Sequence, residues 1–180
     1  MRTKQTSGRL RLSNMLPYIL YGSFVLVLAL LQMSPRGFPV IMHARPTPLI
    51  LLTVCIAMLE GPAMGSIMGI ASGLLWNLYS PRLFGYYGLM LMLIGVSVGL
   101  LVQWLLRANF LSAMFLCCSA VAAYTLLDWL LCYVLFMDEE AVAVLMKVYL
   151  PNALYTVLLA PLVYWLILWM ARLLRRRKNI

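Results

Sequence analysis

The chain has 180 residues, 64% of them hydrophobic, and carries 14 Lys and Arg against 5 Asp and Glu for a net charge of +9. Only 11% of residues are charged, against roughly a quarter in soluble domains, and the long apolar runs mark a single membrane domain with no soluble one. The positive charge gathers in Arg2, Lys4, Arg9 and Arg11 and in Arg172, Arg175, Arg176, Arg177 and Lys178; both clusters abut apolar runs, so they read as cytoplasmic flanks facing anionic lipid rather than as a nucleic-acid surface.

Residues 1–15 form a basic tail. A first span is predicted over about 16–33, too long and without the small-residue site of a removable signal peptide. Pro35, Gly37, Pro39 and Pro46 mark a loop. Residues 47–81 then run apolar except for Glu60. As one helix they would extend about 52 Å, far beyond a hydrocarbon core of about 30 Å. Glu60-Gly61-Pro62 offers the break, since proline suits the first position of a helix and glutamate is favoured near its N-terminus. The reading is a short second span over 47–59, a tight turn, and a third span over 62–79.

A fourth span is predicted over 85–106, a fifth over 110–137, an outer loop at Asp138-Glu139-Glu140, and a sixth over 150–171 with Pro161 as a kink. Residues 172–180 form the basic C-terminal tail. Charge favours six spans over five. With both termini cytoplasmic, ten Lys and Arg lie inside and four outside: Arg36, Arg45, Arg82 and Lys147. Tyr86, Tyr87 and Tyr149 are expected at the outer membrane interface, with Trp104, Trp165 and Trp169 toward the inner one.

Gly61, Gly65, Gly69 and Gly73 recur every four residues. In water each interior glycine would weaken a helix by roughly 1 kcal/mol. In lipid such a strip lets a second backbone come close. Gly88, Gly95 and Gly99 form a matching set on the fourth span. These glycines are expected to pack helices within the protein or to meet a partner.

Four polar residues stand in or beside the spans: Glu60, Asn77, Asp128 and Asn152. Asp128 is the one acid deep in a span, where a charge costs about 3 kcal/mol on insertion scales. It needs a polar partner, such as Tyr124, Asn77 or Asn152, or a role as a proton, ion or substrate site. Asn77 and Asn152 read as caps or inter-helix contacts.

Cys55, Cys117, Cys118 and Cys132 lie in apolar runs without Cys-x-x-Cys spacing. His43 stands alone, whereas a metal needs three or four ligands. No catalytic, cofactor or metal motif is present in the sequence, so the chain reads as a non-enzyme.

The segment Glu60-Gly61-Pro62-Ala63-Met64-Gly65-Ser66-Ile67-Met68-Gly69-Ile70-Ala71-Ser72-Gly73-Leu74-Leu75-Trp76-Asn77, with the Ser80-Pro81-Arg82-Leu83-Phe84-Gly85 turn, resembles the signature region of the rod shape-determining MreD family. The detailed likeness covers about residues 47–107, and the size and basic end extend it over most of the chain. Many members carry Asp at the position of Asn77; with Asn, the resemblance implies a capping or polar-contact role there rather than an ionised one. It further implies an all-α, six-helix membrane bundle similar to the substrate-binding subunits of energy-coupling-factor transporters. The implied function is a scaffold of the elongation machinery in the cell membrane, without cofactor. The implied partners are MreC, then RodA and a class B penicillin-binding protein, directly or through MreC, and MreB indirectly. The alternative is a vitamin-binding subunit of an energy-coupling-factor transporter.

Overall fold

The computed structural model describes residues 19–34, 46–78, 80, 85–105, 109–134 and 141–178. The basic N-terminal tail, Leu16 to Tyr18, His43 and its loop, Tyr79, most of the Ser80–Gly85 turn, Arg107 and Asp138-Glu139-Glu140 therefore lie largely outside the described residues. Every regular element among the described residues is helical. In lipid the backbone has no water to bond with, and a helix satisfies its own amides.

The elements are α1 (Ile19–Met33), α2 (Pro48–Glu60), α3 (Pro62–Asn77), α4 (Tyr86–Trp104), α5 (Phe110–Trp129), a short α6 (Ala141–Val144) and α7 (Leu150–Lys178). One π turn, Leu130–Val134, extends α5, and another, Leu145–Tyr149, joins α6 to α7. Tyr86–Trp104, Phe110–Cys132 and Val142–Leu173 are each long and apolar enough to cross a membrane.

The helix leading into α7 begins earlier than the expected start at residue 150. Proline has no N–H for the carbonyl four residues back, and its ring crowds that turn. Here the wider π turn directly precedes Pro151, and the helix continues through it. Pro161 likewise lies inside the unbroken α7.

α2 is the centre of the bundle. Pro48 through Met58 are all buried, and the helix packs on α3, α4, α5 and α7. A helix apolar on all sides suits such a central position. Its thirteen residues span only about 20 Å. Its two ends are tied by hydroxyl groups. Thr47 N–H donates to Thr156 Oγ1 at 3.1 Å, on α7, and Tyr21 of α1 donates to Glu60 Oε1 at 3.0 Å. Midway, Thr53 Oγ1 and Ser72 Oγ stand 3.2 Å apart, joining α2 to α3.

Between α2 and α3 the chain reverses at Gly61, with φ at +94°. That left-handed geometry favours glycine, and Pro62 follows at the first turn of α3. Ala57 of α2 then meets Gly65 of α3.

α3 and α4 run antiparallel with their backbones in contact. A Cβ placed on Gly69 would stand 2.5 Å from the Leu91 carbonyl oxygen, and one on Gly95 would stand 2.5 Å from that of Gly65. A Cβ on Gly73 would strike the backbone of Tyr87 and Gly88, and one on Gly99 would strike Pro62. Gly88 differs: a Cβ there meets Leu74 at 3.7 Å and the Ile70 carbonyl oxygen at 3.8 Å, which is ordinary contact.

These distances rank the glycines. Gly69→Ala and Gly95→Ala should each destabilise the protein by about 1–3 kcal/mol, the usual cost of overpacking. Gly88→Ala should be neutral or stabilising by up to about 1 kcal/mol, from helix propensity. Thermal unfolding of the purified variants in one detergent measures the order; equal melting temperatures for Gly69→Ala and Gly88→Ala would refute it.

Candidate functional site

Three of the four predicted polar residues, Asn77, Asp128 and Asn152, lie toward one end of the bundle. α3 ends there at Asn77, α4 begins there at Tyr86, and α5 brings Asp128. The close α3–α4 contact holds the first two in register.

Asn77 acts across the interhelical turn. Its Oδ1 accepts from the backbone N–H of Tyr87 at 3.1 Å, one of the amides that the first turn of α4 leaves unpaired. It is buried, at 5% exposure. An acceptor at a helix start is the need, and Asn or Asp supplies it equally well. Ser80 N–H donates to the Asn77 carbonyl at 3.3 Å, and the Ser80 hydroxyl donates to Tyr87 Oη at 3.3 Å.

The tyrosines at this end of the bundle form a cluster with Trp76. Tyr87 stacks on Trp76 with ring centroids 4.4 Å apart and planes within 9°. Tyr124 of α5 tilts against Trp76 at 5.7 Å, and Tyr86 meets Tyr87 edge-on at 5.3 Å. Offset stacks and edge contacts suit the ring quadrupoles, each worth about 0.5–1.5 kcal/mol beyond burial. Trp104, Trp165 and Trp169 are by contrast exposed on the outside.

Asp128 is buried, at 4% exposure. Tyr86 donates to its Oδ1 at 3.1 Å and Tyr149 to its Oδ2 at 2.7 Å. Both oxygens thus act as acceptors, and α4, α5 and the π turn before α7 are drawn together. Hydrogen bonds to a charged group are worth about 1.5–3 kcal/mol each, enough in pairs to offset the insertion cost of about 3 kcal/mol. Sequence reasoning singled out Asp128 but not Tyr86 or Tyr149. Asn152 and Tyr124, considered as partners, line the adjoining cavity instead of standing apart from the site.

That cavity holds about 260 Å³ and is lined by Thr47, Trp76, Tyr124, Thr125, Asp128, Tyr149 and Asn152, with Val121, Val148 and Ala153. The other predicted residues lie away from it. Glu60 bonds Tyr21 where α2 meets α3; Gly61 makes the turn there; Gly65, Gly69, Gly73, Gly95 and Gly99 are taken up in packing. Among the described residues no group of three His, Cys, Asp or Glu could hold a metal. Cys55 and Cys117 are buried, Cys118 is exposed and Cys132 half-buried, all unpaired as disulfides.

An all-helical bundle with helices long enough to cross a bilayer, a glycine-tightened core and a polar cluster at one end defines a membrane protein built on helix packing. The family model of rod shape-determining protein MreD matches residues 13–177, nearly the whole chain, and the chain belongs to that family. Its role is accordingly in rod-shape determination, at the membrane. No curated protein and no solved structure matches the chain.

The Asn77 and Tyr149 contacts can be tested directly. Asn77→Ala should cost about 0.5–2 kcal/mol, as loss of a helix cap does, while Asn77→Asp keeps the acceptor and should retain stability. Tyr149→Phe should cost about 1–3 kcal/mol by leaving Asp128 short of a donor. Denaturant or thermal unfolding of the purified variants reads both, and an Asn77→Asp variant as weak as Asn77→Ala would refute the capping role.

Proposed function

We propose that this protein is a non-enzymatic scaffold of the bacterial elongation machinery, organising peptidoglycan synthesis by binding MreC. Membership of the MreD family carries the reading. In this proposal the chain makes six spans, a bundle similar to the substrate-binding subunits of energy-coupling-factor transporters, with both termini cytoplasmic. α1, α2 and α3 supply the shorter spans. RodA and a class B penicillin-binding protein join directly or through MreC, and MreB indirectly.

The bundle suits a scaffold. Backbone contact between α3 and α4 leaves little room for either helix to slide, so outward faces keep fixed positions. Those faces are apolar: Leu89 and Leu93 on α4, Phe115 on α5, Leu158 and Leu162 on α7 are all exposed. Association of helices in lipid rests on close packing and a few polar bonds, and the single transmembrane helix of MreC would lie against such a face. Because the glycine strip is occupied internally, the partner face is sought among these larger side chains.

The cavity beside Asp128 favours a second reading, a vitamin-binding transporter subunit. Its volume, about 260 Å³, falls short of the roughly 300–1,000 Å³ of ligand pockets, and the scaffold reading is preferred.

Capture of the tagged protein in mild detergent should recover MreC and synthase components. Recovery of a pair of ATPases instead would overturn the scaffold in favour of the transporter. Gly69→Leu, which drives a large side chain into α4, should lower MreC recovery and disturb cell shape. A C-terminal alkaline phosphatase fusion should be inactive and a fluorescent protein fusion bright; the reverse would refute the cytoplasmic C-terminus.

A further inference from the structure

The scaffold reading leaves open which apolar face the partner helix meets. We propose that it is the outer face of α3, with Glu60 at its end receiving a Lys or Arg from the flank of the partner's transmembrane helix. The proposal deepens the scaffold reading and rests on it.

Three observations carry it. The first is charge. Glu60 is exposed, whereas Asp128, the other acid among the described residues, is buried. Tyr21, itself buried, donates to Oε1 of Glu60 at 3.0 Å and holds the carboxylate in place. Among the described residues no Lys or Arg pairs with it. An acid beside apolar spans calls for a polar or charged partner. Membrane-spanning helices carry Lys and Arg at their cytoplasmic flank, and the scaffold reading puts this end of the bundle in the cytoplasm. The exposed faces of α4, α5 and α7 carry no acid among the described residues.

The second is depth. A Cβ on Gly99 would strike Pro62, so α4 at Gly99 is level with the turn between α2 and α3. From there α4 runs on five residues to Trp104, or about 7 Å. The carboxylate thus stands back from the end of α4 by more than a helical turn. Lys and Arg reach such a depth by laying their stems along apolar surface, and a pair set back from bulk water is screened less by salt.

The third is the adjoining face. Ala63, Ile67, Ile70 and Leu74 are exposed on α3, at steps of four, three and four, which keep them on one side of the helix. Gly65, Gly69 and Gly73 are buried against α2 and α4. The exposed stripe begins three residues after Glu60. Its first member is the small Ala63, which lets a neighbouring helix come close beside the carboxylate.

The test titrates purified full-length protein with purified MreC in one detergent. Glu60→Gln removes the charge and keeps an acceptor for Tyr21. It should raise the Kd for MreC by about two- to fivefold, the range of a partly exposed ion pair. Glu60→Lys should weaken binding further, and Glu in place of the flanking Lys or Arg of the MreC helix should restore it. Unchanged binding by a folded Glu60→Gln protein would overturn the proposal. Should that variant melt early, the partner's side decides: Gln in place of the flanking Lys and Arg should weaken binding to the wild type by the same factor, and no change would overturn the proposal. An effect of Glu60→Gln that disappears once residues 2–11 are deleted would assign Glu60 to the chain's own basic tail and overturn it as well. A wild type that does not bind MreC at all would sink the scaffold reading and this proposal with it, whereas binding that survives Glu60→Gln sinks this proposal alone.

Discussion

The backbone contact between α3 and α4 is the constraint on which the rest depends. Lipid offers no hydrophobic force to press two apolar helices together, so attraction must come from close approach. Gly69 against Leu91 and Gly95 against Gly65 bring the two main chains to contact distance. At that separation dispersion between many atom pairs, each worth about 0.1–0.2 kcal/mol, adds up along the whole seam. One added methyl group would open it.

The seam also sets the height of everything above it. With Gly73 against Gly88, Asn77 arrives level with the first turn of α4 and reaches the Tyr87 amide. Trp76 then lies flat on Tyr87, and Tyr86 points to Asp128 on α5. A shift of one residue along α4 would rotate its side chains by about 100°, breaking the cap, the stack and the carboxylate contact together. The polar cluster and the glycine seam are thus two ends of one register.

Much of this was legible in the sequence, and the missing parts share a cause. Low charge and long apolar runs imply helices in a membrane, because a spanning chain must satisfy its own amides. The glycine spacing marks α3 and α4 as surfaces for close contact. It does not say which glycine faces which, since every small residue on one helix fits several on the other. Asp128 stands out as an acid in need of donors, yet Tyr86 lies 42 residues away, and Tyr149, 21 residues away, falls just before the predicted sixth span. Tyrosines near the ends of spans read as interfacial anchors, but the ring and carboxylate they meet come from other helices, which only the fold brings together. π turns leave almost no trace in sequence, apart from a proline that one of them accommodates.

The enclosure of α2 has a consequence for how the protein meets different bilayers. Helices that touch lipid must match its hydrocarbon thickness or tilt, at a cost of fractions of a kcal/mol per Å. Buried from Pro48 to Met58, α2 is exempt from that matching, although its length of about 20 Å falls short of a hydrocarbon core of about 30 Å. Thickening or thinning of the bilayer acts on the outer helices alone. The central helix, tied to α7 through Thr156 and to α1 through Glu60, keeps its length and place while its surroundings adjust.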